Sequence, residues 1–337
     1  MINIIKKIIK FPLVITYSLL INFNIFFLKR ILNYNIIYPK YFGFGDTLIF
    51  CIKEYNNLKK IKNLYIFTFG HTDSKVINYF FPKKKIIKSL FFLPKFFPEH
   101  EIGAKLRNFK NFCSHSVRTD NPIYNSNNIK KIILKLLKKN NVSKKLLFFK
   151  KKKYFLLFVK NYNNNKNDII GSASRQTTDF NKIYKIIKLL NDRNYTTIVL
   201  GLKSDIGTTK IKSILKNRKI DNIYFFSDFT DDYSLNDQIF ICQNSLGYIG
   251  TTSGFIMLTT YLKKKAIIFD GLKDGMNELF DKKFIFLLYK KIQLNKKILI
   301  LNSELIRNIF KYNLKKYKLI ENSFAEIKLN IFKNLKT

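Results

Sequence analysis

The stretch GYIGTTSGFIMLTTYLKKKAIIFDG, residues 247–271, decides the fold. It opens with a short apolar strand, Gly247-Tyr248-Ile249-Gly250, and passes into three small hydroxyl residues, Thr251, Thr252 and Ser253, followed by Gly254. The apolar segment 255–262 has the length of a two-turn helix. A second buried strand, Ala266-Ile267-Ile268-Phe269, closes the unit at Asp270-Gly271. The order is strand, tight turn, helix, strand, with Ser253 or Thr252 at the helix N-cap and Gly254 letting a ligand approach the backbone. A helix N-terminus offers unpaired N–H groups and a partial positive charge, which suit a phosphate or diphosphate. In an open α/β sheet such a turn lies at the carboxyl ends of the strands, where ligands bind. The plainer alternative is one more capped βαβ unit.

Around this stretch the second half of the chain repeats the same alternation. Strands are expected at 154–159, 197–201, 222–226, 247–250 and 266–269, and helices at 180–191, 206–216, 234–244 and 253–262. Strands and helices alternating at this spacing indicate a parallel, doubly wound sheet. The tail from 303 to 335 reads as helical, with Leu305, Ile306, Ile309 and Phe310 at core spacing.

The first half is less regular. Residues 36–38 read as a strand, Gly43-Phe44-Gly45-Asp46 as a turn, 47–57 as a helix and 64–69 as a second strand. Gly70-His71-Thr72-Asp73 ends that strand and leads into a helix that stops near Pro82; residues 83–126 are basic, aromatic and unordered by pattern, and 129–139 are an amphipathic helix. At the start, residues 11–28 carry no charge, and eighteen helical residues span about 27 Å, the lower edge of a bilayer crossing. A single span, an interfacial helix and a docked core helix all fit; the interfacial anchor is favoured. The expected organisation is an apolar N-terminal segment (1–33), two domains (34–150 and 151–320) meeting at the lysine run 150–153, and a C-terminal helix (321–337).

Lys and Arg number 62 against 22 Asp and Glu, a formal charge of +40. Such a surface suits nucleic acid, anionic lipid or phosphorylated substrates. Only seven of the basic residues are Arg, and Lys, Ile, Asn, Phe and Tyr are abundant, as drift towards A/T-rich codons produces. A nucleic-acid reader would hold more of the forked guanidinium groups, so no nucleic-acid partner is expected, whereas attraction to an anionic membrane surface holds whatever the origin of the charge. Cys51, Cys113 and Cys242 and the three histidines have no metal-ligand spacing; Cys51 and Cys242 read as core thiols, and the thiols fit a reducing cytosol.

Three short stretches occur in a fixed order over residues 36–275. Gly45-Asp46-Thr47-Leu48 follows a strand and opens a helix. Gly171-Ser172-Ala173-Ser174-Arg175 precedes a helix and then the strand Tyr195-Thr196-Thr197-Ile198-Val199-Leu200-Gly201. Ile249-Gly250-Thr251-Thr252-Ser253-Gly254 closes a strand. Together they resemble glycosyltransferases of GT-B architecture, in particular the heptosyltransferase-like group (family 9) and related bacterial surface-polysaccharide transferases. The resemblance implies two Rossmann-like doubly wound domains facing a cleft, the N-terminal one for the acceptor and the C-terminal one for a nucleotide-sugar. The chain departs from the family's donor loop. Its acidic residue before Ser-Gly is Thr252 here, its Pro is Phe255 and its His is Met257, while Thr177-Thr178-Asp179 occupy the place of a lysine often found after the Ser-Arg turn. Heptose is therefore not carried over.

The resemblance also implies roles. Asp46 matches the family's catalytic base, although an N-cap for the helix from Thr47 explains it equally. Gly43 and Gly45 form the acceptor-side loop. His71 and Asp73 are the backup pair, or else a surface loop. Arg175 suits a bidentate grip on phosphate, with Gly201 and Lys203 near the same ligand and Thr251, Thr252, Ser253 and Gly254 on the diphosphate. No metal is needed where a helix N-terminus and basic side chains stabilise the leaving group, and no cofactor is expected beyond the nucleotide-sugar substrate. A glycan or lipid-linked acceptor places the protein on the cytoplasmic face of the membrane. Two other classes remain open: an inactive membrane-associated scaffold of the same fold, and a basic nucleic-acid-binding protein.

Overall fold

A computed structural model of the 337-residue chain describes, before residue 127, the segments 35–37, 47–49, 64–68, 71–81 and 85–88 and the single positions 16, 23, 51, 52, 55 and 60; from 127 onward it describes all but 140–141, 162–175, 204, 217, 219, 231–233, 274–281, 312–316 and 336–337. The chain divides into two compact units, Met1–Asn121 and Pro122–Thr337, so that the lysine run 150–153 lies within the second.

The first unit contains a three-stranded parallel sheet of β1 (Asn35–Ile37), β2 (Leu64–Thr68) and β3 (Lys85–Lys88), in that order. Helix α1 (His71–Phe80) joins β2 to β3, the crossover that parallel strands require. Val76, Ile77, Phe80 and Phe81 are buried, as are Leu48, Cys51 and Ile52. The expected turn at 70–73 is shorter than read, because His71 already belongs to α1. The apolar run 11–28 lies outside the described residues except for Thr16 and Phe23, which are helical and exposed. Among the described residues no helix is long and apolar enough to cross a membrane.

The second unit is built on a six-stranded sheet. Its strands are β4 (Tyr154–Phe158), β5 (Thr196–Val199), β6 (Ile223–Phe225), β7 (Gly247–Gly250), β8 (Lys265–Gly271) and β9 (Ile285–Tyr289), in the order β6-β5-β4-β7-β8-β9 with every pair parallel. A strand covered on both faces reads as a continuous apolar run, and the β4 sequence YFLLF is one. Successive side chains alternate between two helical layers. Phe155, Leu157 and Val159 join a core with Ile183, Ile186 and Ile187 of α3 (Phe180–Asn191) and, from the C-terminal helix, Ile327 and Ile331. Tyr154, on the opposite parity, donates its hydroxyl to Ile241 O at 2.7 Å in the helix Leu235–Asn244. Asp179 caps α3, its carboxylate accepting the Asn181 and Lys182 N–H groups.

Around that sheet lie α2 (Asn127–Lys139), a 3-10 helix at Lys144–Lys151, α4 (Ile206–Leu215), α5 (Leu235–Asn244) and α6 (Phe255–Tyr261). The tail read as helical, 303–335, is helical at both ends and interrupted by one strand. After β9 the chain forms β10 (Lys291–Leu294) and β11 (Lys297–Ile300), then α7 (Ser303–Lys311), β12 (Tyr317–Ile320) and α8 (Phe324–Leu335). The three strands make an antiparallel sheet in the order β11-β10-β12, with Ile292 opposite both Leu299 and Leu319. Cross-strand pairing of these short alternating segments overrides the helical pattern around them. Ile292, Leu301, Ile306 and Ile309 then bury a small separate core.

Candidate functional site

From the central β4 the sheet grows one way through β5 and β6 and the other way through β7, β8 and β9. The carboxyl ends of β4 and β7 therefore form a switch point, where crossovers leave on opposite faces and open a crevice. Two bonds join the segments there. Thr251 N–H donates to Phe158 O at 2.9 Å, and Lys160 N–H donates to Thr251 Oγ1 at 2.8 Å. Gly250 permits the approach, since a Cβ at that position would lie 2.2 Å from Phe158 O.

The loop after β7 spends two of its three hydroxyls on its own shape. Thr251 Oγ1 is held by Lys160, and Ser253 Oγ lies 3.2 Å from the hydroxyl of Tyr248, which donates to Thr251 O at 2.7 Å. Burial pushes the Tyr248 phenol well above its ordinary value, so it remains a donor. Thr252 Oγ1 is different: it is buried and, among the described residues, has no hydrogen-bond partner. A buried hydroxyl in that state carries an uncompensated desolvation cost.

The helix after the loop is not capped as the sequence suggested. The N-cap is Gly254, in helical conformation (φ −60, ψ −23), and no side chain caps it. Ser253 is drawn to Tyr248 instead. The Ile256 and Met257 N–H groups bond to Ser253 O and Gly254 O, and α6 is only seven residues long. The short helix leaves little at its N-terminus for an anion; the loop before it carries the site.

The other predicted residues divide by location. Gly201, two residues past β5, has φ +122, a conformation that favours glycine, and Lys203 lies exposed just beyond it. Leu202 N–H donates to the Asp205 carboxylate at 2.7 Å, which closes that turn. Beyond β4, Asn161 donates its amide to Thr177 O at 2.7 Å and accepts from Lys210 Nζ at 3.3 Å. The carboxyl edge thus gathers Lys160, Asn161, Thr177 and residues 251–254, with Gly201 and Lys203 one strand away. Arg175, Asp46, Gly43 and Gly45 lie outside the described residues. His71 and Asp73 fall in the first turn of α1, in the other unit, with their side chains outside the description. Among the described residues no group of His, Cys, Asp or Glu could hold a metal ion. Cys51 and Cys242 are buried, and burial pushes the Cys242 thiol up, so it remains a core thiol.

A cluster that the sequence did not reveal lies at the same edge. Lys182 Nζ donates to Asp270 Oδ2 at 2.6 Å, to Glu321 Oε2 at 2.8 Å and to Asn322 O at 3.2 Å. Lys290 donates to Gln176 O and stands 3.9 Å from Glu321. Burial alone works to raise the Glu321 carboxyl. The Lys182 hydrogen bond and charge, with Lys290 and the Thr178 N–H, outweigh it and hold the group at about 2. The lysine missing after the Ser-Arg turn has no substitute in Lys182, whose three donors are taken.

No family model matches the chain, and no curated protein matches it. Solved structures similar to it include the E. coli heptosyltransferase WaaC with ADP, at 11% identity over 83% of this chain and 73% of that one, with a TM-score of 0.36. The glycosyl transferase family 9 protein of Veillonella parvula DSM 2008 aligns at 8% identity over 87% and 80%, with a TM-score of 0.38. Methanocaldococcus jannaschii UDP-GlcNAc 2-epimerase, in complex with UDP-GlcNAc and UDP, aligns at 15% over 86% and 80%, with a TM-score of 0.34. Two of the three belong to the group that the sequence resembles. At TM-scores below 0.5 they decide neither activity nor ligand, and the functional reading rests on the loop.

Proposed function

We propose that the chain is a metal-independent glycosyltransferase of GT-B type that moves a sugar from a nucleotide-sugar to a glycan or lipid-linked acceptor. The observation that carries this is Thr252: among the described residues its hydroxyl is the one in the 251–254 loop left without a partner, buried at the switch point of a parallel sheet. A donor diphosphate supplies what that hydroxyl lacks, an acceptor for its proton. Arg175 and Lys203 add positive charge, Gly201, packed against Thr208 and Asp205, shapes the turn that presents Lys203, and Gly254 leaves the backbone open. In the reaction the acceptor oxygen bonds to the anomeric carbon as the bond from that carbon to the diphosphate breaks. The acceptor's proton passes to a base and the nucleoside diphosphate leaves. Asp46 is the base proposed, with His71 and Asp73 in reserve. The first unit holds the acceptor and the second, which includes 321–337, holds the donor, while residues 1–33 and the net charge of +40 keep the protein on the cytoplasmic face of an anionic membrane.

The test is transfer from labelled nucleotide-sugars to membrane lipid extracts by the full chain, with Asp46→Ala and Thr252→Val alongside. Transfer by the wild type that both variants lose supports the reading. A wild type that neither transfers nor hydrolyses any donor in the panel contradicts it.

A further inference from the structure

Outside the loop, the second unit holds a charge cluster of buried Lys182, Asp270 and Lys290 with the partly buried Glu321. Two cations and two anions come from α3, the end of β8, the junction of β9 with β10 and the junction of β12 with α8. Its bonds converge on the backbone of the carboxyl edge. Glu321 Oε1 accepts the Thr178 N–H at 2.7 Å and the Thr178 hydroxyl at 2.9 Å. Its Oε2 accepts the Thr177 hydroxyl at 2.8 Å and the Asp179 N–H at 3.3 Å. With Lys290 on Gln176 O, four successive residues that follow the Ser-Arg turn are held.

The same tail segment fixes the end of β8. Asn322 N–H donates to Asp270 Oδ1 and Asp270 N–H to Asn322 Oδ1, both at 2.6 Å. Asp270 is thereby kept at φ +52, and a Cβ added to its neighbour Gly271 would lie 3.9 Å from Thr252 Oγ1. Because β7 lies between β4 and β8, the clamped segments flank the 251–254 loop. Apolar side chains of similar volume give equal or better stability than a buried ion cluster. What charges add is geometry, since each bond fixes a direction as well as a distance.

We propose that Glu321 is a positioning residue of the nucleotide-binding edge: it ties residues 176–179 to Lys182 and, with Asn322 and Asp270, fixes 270–271, so that the edge meets a nucleoside diphosphate already formed. This rests on the donor-site reading above. Glu321 acts through these segments without touching the ligand, and preorganisation lowers the ordering cost of binding.

The experiment compares the full-length wild type and Glu321→Gln in calorimetric titration with ADP, UDP and GDP, at a temperature where both are folded, and in amide hydrogen exchange. For the diphosphate that the wild type binds, the variant's Kd rises about tenfold, and exchange quickens in 176–179 and 270–272 while 196–199 stays as it was. A lower Tm with unchanged Kd is the mark of a purely structural ion pair and overturns the proposal. For the case in which E321Q does not fold, Thr178→Val removes one bond to Glu321 from an exposed position; a weaker Kd supports the proposal and an equal one overturns it. A wild type that binds none of the three diphosphates overturns the donor-site reading and this proposal together. Equal binding by wild type and variant overturns this proposal alone.

Discussion

Lys182 Nζ lies 2.6 Å from Asp270 Oδ2, with both side chains out of solvent and the two residues 88 positions apart in the chain. A cation and an anion this deep are stable only together, since either alone keeps its desolvation cost and loses its partner.

Lys182→Ala is therefore expected to lower unfolding free energy by about 3–5 kcal/mol. The exposed Lys188–Asp192 pair, at 2.8 Å one helical turn along, gives the contrast. Lys188→Ala leaves the urea midpoint unchanged. Equal losses in the two variants, read by urea unfolding, would contradict the burial argument.

The acid limb of stability reports on Glu321. Its carboxyl is held at about 2 against an ordinary 4.5, so between those values the unfolded chain binds its proton more readily than the folded one. Its contribution is full above the ordinary value and disappears as the pH falls towards 2. After a discount for partial solvent screening it amounts to about 2 kcal/mol at neutral pH. Asp270 has the opposite sign: burial raises its carboxyl against the pull of Lys182, so its contribution declines as the pH rises through that raised value. The stability gap between wild type and Glu321→Gln should be widest above pH 5 and close near pH 2. A gap that widens on acidification contradicts the assignment.

Gly250→Ala would set a Cβ 2.2 Å from a backbone carbonyl, Phe158 O, which has no rotamer by which to withdraw. Separation of β4 from β7 is the only relief. The expected cost is about 3 kcal/mol or more, seen as a lower Tm and faster exchange of the Thr251 amide. A variant as stable as the wild type would mean that the strands part more easily than described.

Much of this was legible in the sequence, and the limits have physical causes. Five of the sheet's six strands could be read because they are short apolar runs bounded by polar turns, whereas β9 (Ile285–Tyr289) was not; α3 was legible to the residue because Asp179 and the Ile183-Ile186-Ile187-Leu190 spacing mark it. The antiparallel sheet was missed because Lys291–Leu294 and Lys297–Ile300 are four-residue strands that stand only by pairing. The Gly254 cap was missed because Ser253 prefers the buried Tyr248 hydroxyl, a partner that only the folded sheet supplies. Lys182 looks like any helix-surface lysine; the one hint of the cluster was Asp270, an acid closing an apolar run in a chain with few acids. Of the candidate site, the hydroxyl loop was legible as a place, but which hydroxyl remains available was not.

Thr252→Val replaces the unpartnered hydroxyl by a methyl of equal shape. Removal of an unsatisfied buried polar atom should raise stability by about 1 kcal/mol, while binding at the edge weakens. Such opposed effects mark a residue kept for function. A loss of stability without loss of binding would assign Thr252 to the core.

The decisive comparison is calorimetric titration of nucleoside diphosphates into wild type and Thr252→Val. The wild type is expected to bind at least one diphosphate, and the variant, at least as stable, to bind it about tenfold more weakly. Equal affinity in the two proteins, or no binding by the wild type, would contradict a donor site at the carboxyl edge of β4 and β7.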